Sequence, residues 1–274
     1  MVERWEKTVH KVLSLHNIYH FGCVSFQHLN ILDVRSKARI PQNCTGAIAI
    51  IFPYFNKSAF GGNISAYCSV ADYHTVVGLQ LKSICEDLSA TYPGHQFVPF
   101  VDSSPVDEVD MAVKAGLGVR GKNSLLITPQ FGSYVFIGEI LTTLPLETTC
   151  FEDKGCLDCG LCSKACPGGA IGCGVTTEKC ASHISQKKGE LTVEETAILS
   201  NAHTVFGCDI CQTVCPMNRN VQETENLFSD DILFTVTAEN VEKIYKSRPF
   251  GWRGLKVLQR NIDIYKREEK EKND

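Results

Sequence analysis

Cysteine is the residue type with the most evident chemistry in this sequence of 274 residues, which contains 14 of them. Four cysteines are scattered through the first 149 residues, and the other ten lie between positions 150 and 215. Cysteines at short, fixed spacings in a chain without an export signal are typical of metal ligands rather than of disulfides. The cysteine-rich stretch is therefore predicted to hold metal.

The first cysteine run has the spacing of bacterial ferredoxins, C-x2-C-x2-C-x3-C-P, over residues 156–167. In that run three thiolates bind one 4Fe–4S cubane and the fourth binds the other cluster. A second run, C-x2-C-x3-C-P over residues 208–216, repeats the motif with one cysteine missing. Pseudo-symmetry between the runs predicts four ligands for the first cluster: Cys156, Cys159, Cys162 and Cys215.

The second predicted cluster takes Cys166, Cys208 and Cys211 and then lacks one ligand. Cys173, in a glycine-rich turn, and Cys180, at the end of a polar stretch, are both candidates, and their spacing does not separate them. The alternative is zinc, because C-x2-C pairs also build zinc sites. Zinc does not need a complete ferredoxin run or its partial copy, so two 4Fe–4S clusters are favoured.

The remaining cysteines have a simpler interpretation. We expect them to be small buried apolar side chains rather than ligands. They are Cys23, Cys44, Cys68, Cys85 and Cys150.

The elements that must position these cysteines divide into three predicted regions. Residues 1–149 alternate helical and strand patterns, which predicts an α/β domain of the layered α+β kind that binds cofactor and substrate. Residues 150–222 are loop-rich and are predicted to form a double 4Fe–4S ferredoxin-like domain that needs metal to fold. Residues 223–274 are predicted to form a basic helical segment whose last residues, 266–274, fray.

Individual elements follow from periodicity and capping signals. Helices are predicted at residues 1–17, after the cap Asp72, at 108–115, and at 192–203, where Thr192 and Glu195 form a capping box. The predicted strands are residues 47–52, 97–101, 124–127 and 134–141, the last two joined by a turn around Gly132.

One acidic residue of the first domain is a candidate for acid–base chemistry. Asp102 follows an apolar strand, where α/β folds place ligands, and a partly buried carboxyl group there can donate a proton. The alternative is a turn or helix-cap role. The glycines of residues 116–121 match a dinucleotide fingerprint by letter, but they precede a strand and not a helix, so NAD is not predicted. A glycine-rich turn that admits a flat ligand is the better interpretation.

Six short motifs, taken with the two cysteine runs, resemble those of the epoxyqueuosine reductase family, whose core is similar to that of reductive dehalogenases. They are DYH at 72–74, FVDSSPV at 100–106, KAGLG at 114–118, GKNSL at 121–125, GE at 138–139 and GCDICQ at 207–212. The resemblance covers most of residues 45–262. Arg120 departs from it, because an aromatic residue is expected there.

The resemblance implies a cobalamin-dependent oxidoreductase that converts epoxyqueuosine in a tRNA anticodon loop to queuosine. Asp102 would protonate the epoxide oxygen after attack by reduced cobalt, and loss of water would give the alkene. Cys180 would complete the second cluster, and residues 208–211 would lie against the corrin, so that this cluster passes electrons to cobalt. The candidate cobalamin contacts are Ser65, Tyr73, Asp102, Lys122, Ser124, Cys208, Asp209, Ile210 and Cys211.

The same resemblance implies a cytoplasmic monomer that takes electrons from an external low-potential donor. No apolar run approaches the ~20 residues of a membrane helix, and the net charge of −4 excludes a strongly basic nucleic-acid scaffold. The chain is shorter than many family members and lacks most of their C-terminal helical-repeat domain. Candidate phosphate contacts in the basic segment are Lys243, Lys246, Arg248, Arg253, Lys256 and Arg260.

Two other functions stay open at this stage. A corrinoid-dependent reductase of a small molecule, similar to a reductive dehalogenase, would not need the missing tRNA-binding domain. A ferredoxin-type electron-transfer protein would use the α/β domain only to dock a partner. Cobalamin binding separates the second alternative from the others.

Overall fold

A four-stranded antiparallel sheet is the centre of the first region in the computed structural model, which describes residues 2–149, 155–224, 228 and 232–273. Its order is β1-β2-β6-β3, and a separate pair joins β4 to β5. The strands are β1 (Phe21–Ser25), β2 (Gly46–Pro53), β3 (Phe97–Val101), β4 (Val119–Arg120), β5 (Leu126–Ile127) and β6 (Val135–Thr142).

Helices cover both faces of this sheet. The helices of the first region are α1 (Val2–Leu15), α2 (Ala66–Ser69), α3 (Tyr73–Thr91) and α4 (Glu108–Lys114). Successive residues of a strand point to opposite faces, so Ile48 and Ile50 of β2 pack with α1 and α3, whereas Ala49 and Ile51 pack with α4. Burial on both faces explains why β2 is a continuous apolar run. The predicted layered fold class is confirmed.

Several predicted boundaries are confirmed because local signals set them. Asp72 caps α3 by accepting a hydrogen bond from the His74 amide at 3.1 Å. The predicted strand at residues 97–101 has the bounds of β3. Thr192 and Glu195 form the predicted capping box at the start of a helix in the cysteine-rich region.

Two features of the sheet are not predicted by the sequence patterns. One is β1, because its five residues contain a glycine and too few apolar side chains to stand out. The other is strand pairing: the strands predicted at residues 124–127 and 134–141 are present as β5 and β6, but β5 pairs with β4, and β6 lies between β2 and β3. Strand partners are chosen by packing over long sequence distances, which periodicity does not register.

The cysteine-rich and C-terminal regions consist of short helices and loops. These helices are α5 (Leu161–Ala165), α6 (Ala181–Ser185), α7 (Val193–Asn201), α8 (Ile210–Thr213), α9 (Val241–Ile244) and α10 (Leu255–Asn273). Residues 266–274 are predicted to fray, but α10 continues to Asn273. Within the described ranges, no helix is both long and apolar enough to span a membrane.

Apolar contacts cross the predicted domain boundaries. Ile64 of the first region, Phe206 of the second and Leu258 of α10 belong to one buried cluster. The amide of Asn261, which is fully buried, donates to the carbonyl oxygens of Ser185 and Val205 at 2.7 Å each. Through these contacts α10 packs against the cysteine-rich region.

Candidate functional site

A central cavity of about 320 Å³ lies where the sheet meets the cysteine-rich region. Its lining combines aromatic and aliphatic side chains with a few polar groups from both regions. Aromatic and aliphatic lining residues include Tyr54, Tyr67, Tyr73, Val109, Leu125, Leu126, Val135, Phe136 and Ile137. The polar and thiol groups include Asp102, Glu108, Asn123, Ser133, Cys180, Ser182, Cys208, Cys211 and Gln212.

Asp102 stands at the rim of this cavity, directly after β3. Its backbone has φ +60°, a left-handed conformation that is uncommon outside glycine, although Asp tolerates it better than most residues. The sequence predicted a partly buried carboxyl group, but the side chain is 58% exposed. The tight turn that follows the strand explains the exposure, because it directs the side chain away from the sheet.

A histidine joins Asp102 to a second carboxylate. The Nδ1 atom of His74 lies 2.7 Å from Oδ1 of Asp72, and its Nε2 atom lies 3.4 Å from Oδ2 of Asp102. Hydrogen bonding to Asp102, and then to Asp72, raises the pKa of His74 to about 9. At neutral pH the histidine is therefore protonated and bridges two carboxylates.

Stacking fixes the orientation of this histidine. The ring of Tyr73 lies between those of His74 and Phe136, with centroid distances of 4.1 and 4.2 Å. Phe136 belongs to β6 and Tyr73 begins α3, so two elements of the layered domain hold the ring. Burial, and next the charge of Asp102, raise the pKa of Tyr73, which keeps this phenol protonated.

Glu108 is a second acidic group in the cavity lining. Burial, followed by the negative charges of Asp102 and Asp107, raises its pKa to about 7. Glu108 does not stand out in the sequence as a candidate site residue, because the first residue of a helix is an ordinary place for Glu. The charge of Asp102 acts on Glu108 only because the turn after β3 brings the two residues near each other.

Three cysteines of the second predicted cluster, Cys180, Cys208 and Cys211, line the same cavity. Burial raises the pKa of Cys208 to about 11, with smaller contributions from the charges of Asp209, Cys180 and Cys166. Cys180, Cys208 and Cys211 thus share one wall of the cavity. Gly207, at φ +73°, allows this packing, since a Cβ atom there would lie 2.0 Å from the Ser65 hydroxyl oxygen.

The four cysteines of the first predicted cluster line a different, narrow pocket. It lies in an exposed loop, where Lys122 pairs with Asp158 at 2.7 Å. Asn123 lines both this pocket and the central cavity, so it lies between the two sets. The cysteines that line this narrow pocket are Cys156, Cys159, Cys162 and Cys215.

Among the described residues no three His, Cys, Asp or Glu side chains are grouped to hold one metal ion.

Cys173, the rival candidate for the eighth ligand, is exposed. Of the cysteines expected to be buried apolar groups, Cys23, Cys68 and Cys85 are buried and Cys44 is partly buried. Cys150 lies outside the described residues.

The candidate cobalamin contacts are divided among several places. Tyr73, Asp102, Cys208 and Cys211 line the central cavity. A separate cavity, also of about 320 Å³, has Cys208 in its lining too, together with Ser65, Asp209 and Ile210. Lys122 lines the first-cluster pocket, and Ser124, at φ +63°, lines none of the three.

Asp209 is partly buried, and its carboxylate accepts two hydrogen bonds from within the protein. It accepts from the Ala66 amide at 2.6 Å and from the side chain of Gln212 at 2.8 Å. Ser133 and Asn218 extend this network, since the Ser133 hydroxyl donates to Gln212 and the Asn218 amide donates to Ser133, both at 2.8 Å. The network fixes the cysteine-rich region against the start of β6.

Part of the basic C-terminal segment has a structural role. Arg248 is buried and donates to the carbonyl oxygen of Ser69 at 2.8 Å. Arg260 donates to the carbonyl oxygens of Lys187 and Gly189. The expectation that these two arginines contact phosphate is therefore not supported by their positions. The exposed cations of the predicted set are Lys243, Lys246 and Lys256.

The fold and the cysteine-lined pockets define an iron–sulfur protein whose cluster region adjoins a cavity of a layered α/β domain. Residues 155–218 match the family described as a 4Fe-4S double cluster binding domain. Residues 37–103 match the family described as epoxyqueuosine reductase QueG. The two predicted 4Fe–4S clusters are thereby confirmed, while the assignment of each ligand stays a prediction.

Similar proteins extend these matches to most of the chain. An epoxyqueuosine reductase from Listeria monocytogenes is 33% identical over 224 residues, covering 77% of this chain and 59% of that protein. One from Lactococcus garvieae is 30% identical over 258 residues, covering 86% and 73%. A crystal structure of epoxyqueuosine reductase with an epoxyqueuosine-modified tRNA-Tyr stem loop matches with a TM-score of 0.79 at 22% identity, covering 97% and 81%.

The chain belongs to the epoxyqueuosine reductase family, and the resemblance predicted from its motifs is confirmed. It spans about half to three-quarters of the length of the curated relatives that it matches.

Proposed function

We propose that this chain is a cobalamin-dependent oxidoreductase that reduces epoxyqueuosine to queuosine in tRNA. One observation carries the proposal: Asp102 lines the same cavity as Cys180, Cys208 and Cys211, three cysteines of the second predicted cluster. An acidic side chain and the ligands of a redox centre thus face one volume, which is what reductive opening of an epoxide requires. The membership of the family supports the same reaction.

The cavity lining fits a corrin, which has an apolar ring and polar amide side chains. Half of the lining residues are aromatic or aliphatic, including Val135, Phe136 and Ile137 of β6, and the other half are polar or thiol groups. When bound, cobalamin supplies a cobalt centre that low-potential electrons convert to a strong nucleophile. Tyr73, Cys208 and Cys211 are the predicted contacts best placed to hold it.

We assign the first cluster to the four cysteines of the narrow pocket, Cys156, Cys159, Cys162 and Cys215. The second cluster takes Cys166, Cys180, Cys208 and Cys211. The closeness of Cys180 to Cys208 and Cys211 supports this choice, whereas Cys173 is exposed and lines neither pocket. Burial raises the pKa of Cys211 to about 12, so iron must displace the thiol proton on binding.

Asp102 delivers the proton in this mechanism. Opening the epoxide leaves an oxygen that needs a proton, and a general acid within hydrogen-bond reach contributes ~10²–10⁴-fold. His74, protonated between Asp72 and Asp102, restores the proton to the Asp102 carboxylate. Tyr73 keeps the histidine ring in place by stacking.

The tRNA substrate is assigned to the face that carries Lys243, Lys246 and Lys256, which are exposed. Replacing all three lysines by neutral residues should weaken the dependence of affinity on salt. The magnitude of the slope of log affinity against log salt should fall by about one for each lost phosphate contact. A slope equal to the wild-type value would place the tRNA elsewhere. We assign the reaction to the cytoplasm, because the proposed substrate is tRNA, and we expect a monomer that takes electrons from an external low-potential donor.

Anaerobic reconstitution with iron, sulfide and cobalamin tests the proposal. The reduced protein is given a stem loop carrying epoxyqueuosine, and the nucleosides are analysed by mass spectrometry after digestion. We expect queuosine to form only when cobalamin is present. Two intact clusters without retained cobalamin would instead indicate a ferredoxin-type electron-transfer protein.

A corrinoid-dependent reductase of a small molecule is the second candidate. The intrachain bonds of Arg248 and Arg260 favour it, because they withdraw two cations from the surface that would bind tRNA. A free epoxide or aryl halide should then be reduced at least as fast as the modified stem loop. The ratio of the two kcat/KM values separates the candidates.

A further inference from the structure

β6 contains one charged residue, Glu139, in an otherwise uncharged strand. It pairs with Ala49 of β2 and Phe100 of β3, so it occupies the middle of the sheet, and it is 1% exposed. Its side chain shares the α4 face with Ile137 and Leu141 and does not line the central cavity. A buried carboxyl group away from the reacting atoms needs another explanation.

The partner of Glu139 is Ser104, which belongs to the turn after Asp102. The Ser104 hydroxyl donates to Oε2 of Glu139 and accepts from the Val106 amide at 3.2 Å. The Ser104 amide in turn donates to the carbonyl oxygen of Asp102 at 2.7 Å. One hydroxyl group therefore connects the sheet interior to the backbone of the Asp102 turn.

The surroundings of Glu139 favour the neutral form of its carboxyl group. Burial raises its pKa well above the ordinary value, the Ser104 hydrogen bond opposes that rise, and the charges of Glu108 and Asp107 reinforce it. Its Oε1 atom is buried and has no hydrogen-bond partner among the described residues. A neutral carboxyl group can occupy such a site at a far smaller cost than a carboxylate.

The turn needs such support, because Asp102 adopts φ +60°. Residues outside glycine in this region are strained and persist only where neighbouring structure holds them. The Asp102 side chain is mostly exposed, and its contact with His74 is long at 3.4 Å, so its own contacts do not fix the turn.

We infer that Glu139 is a positioning residue that acts through Ser104 to hold the Asp102 turn at the cavity rim. The inference rests on the proposed function, since it assumes that Asp102 is the proton donor. Glu139 itself transfers no proton and touches no cofactor or substrate. Its role is to keep the donor within reach of the reacting oxygen.

Hydrogen exchange of the reconstituted protein tests the connection without any turnover. Ser104→Ala should raise exchange at the amides of residues 103, 104 and 106 by about tenfold, because a buried acceptor loses its hydrogen bond. Turnover of the modified stem loop should fall by a similar factor, with KM, iron content and cobalamin binding unchanged. Thr142→Val is the matched control. It removes a buried hydroxyl group of β6, the strand that contains Glu139, but this hydroxyl accepts from the Leu144 amide and not from the Asp102 turn.

Glu139→Gln and Glu139→Ala separate positioning from proton transfer. The carboxamide can still accept from Ser104 and is also uncharged, so it should retain most of the turnover, whereas Ala should behave like Ser104→Ala. If Glu139→Ala does not fold, Ser104→Ala still decides the matter, because it is nearer the surface.

Three results are decisive. Unchanged exchange at the amides of residues 103, 104 and 106 in Ser104→Ala overturns the inference. Loss of turnover in Glu139→Gln as complete as in Glu139→Ala also overturns it, since the carboxyl proton would then be required. Full turnover in Asp102→Asn, together with faster exchange in Ser104→Ala, contradicts the proposed donor while the connection itself stands.

Discussion

The two cysteine sets occupy different surroundings. The first lies in an exposed loop beside Leu157, which is 65% exposed, and Cys159 is itself exposed. The second lies against the central cavity, where burial raises the pKa of Cys208 and Cys211. An electron donor can approach the first set directly, whereas the second adjoins the place where chemistry is proposed. The difference favours electron uptake at the outer set and delivery at the inner one.

Removing a ligand from the inner set should have the largest effect. We expect Cys180→Ala to lower the iron content from about eight to about four per chain, since one cubane loses a ligand. Cys173→Ala is the control, because that thiol is exposed and lines neither pocket. Iron and sulfide analysis of anaerobic protein measures both. If the two variants respond the other way round, the eighth ligand is Cys173.

Removing the acid at the cavity rim should leave both sets intact and still abolish chemistry. Asp102→Asn is expected to retain both clusters and cobalamin but to lose at least ~10²-fold in turnover, because it has no acid proton to donate. Asp110→Asn, which removes a carboxylate paired with Lys114 outside the cavity, is the control. Wild-type turnover would remove Asp102 from the mechanism, and loss of cobalamin would make it a binding residue.

The same substitution should also change the titration of His74. Its pKa of about 9 depends first on Asp102, so we expect Asp102→Asn to lower it. NMR of protein with labelled histidine and oxidised clusters measures the shift. Asp87→Asn, which removes the ion pair of His16, should leave His74 unchanged. An unaltered titration would show that the 3.4 Å contact is not a hydrogen bond.

The sign of the linked stability change follows from the direction of the shift. A histidine pKa raised from 6.5 in the unfolded chain to about 9 stabilises the fold fully below pH 6.5. That contribution disappears as the pH rises through 9. The difference in urea unfolding between wild type and His74→Gln should therefore shrink between pH 6.5 and pH 9.5. A constant difference would contradict the raised pKa.

The smallest effect is expected at the outer set. Asp158→Asn removes the ion pair with Lys122, but both groups are exposed, and such pairs contribute little. Iron content and the unfolding midpoint should match those of the wild type. Loss of the outer cluster in this variant would show that the loop depends on its charges and would weaken the contrast between the two sets.

Local signals in the sequence predicted much of the fold. The caps at Asp72 and Thr192 and the apolar run of β3 are read within a few residues, and each is confirmed. The pairing of β5 with β4, and the place of β6 inside the sheet, depend on contacts between distant segments. Those contacts leave no periodic trace, so the sequence patterns do not show which strands pair.

The candidate site divides in the same way. The cysteine runs are recognisable because the cluster geometry imposes their spacing. The bridge from Asp72 through His74 to Asp102 joins a helix start to a strand end, and only the tertiary fold brings them together. Glu139 did leave a signal, a carboxyl group amid apolar residues of a strand, which a search for buried charge would have found.

The buried side chain of Asn261 also sets an order of events during synthesis. The carbonyl oxygen of Val205 receives its hydrogen bond from a residue 56 positions later in the chain. The α/β layers can form while translation continues, since domains near the N-terminus generally fold first. The cysteine-rich region acquires its rear wall only after α10 has left the ribosome. Closure of this side of the cysteine-rich region therefore follows the synthesis of residue 261.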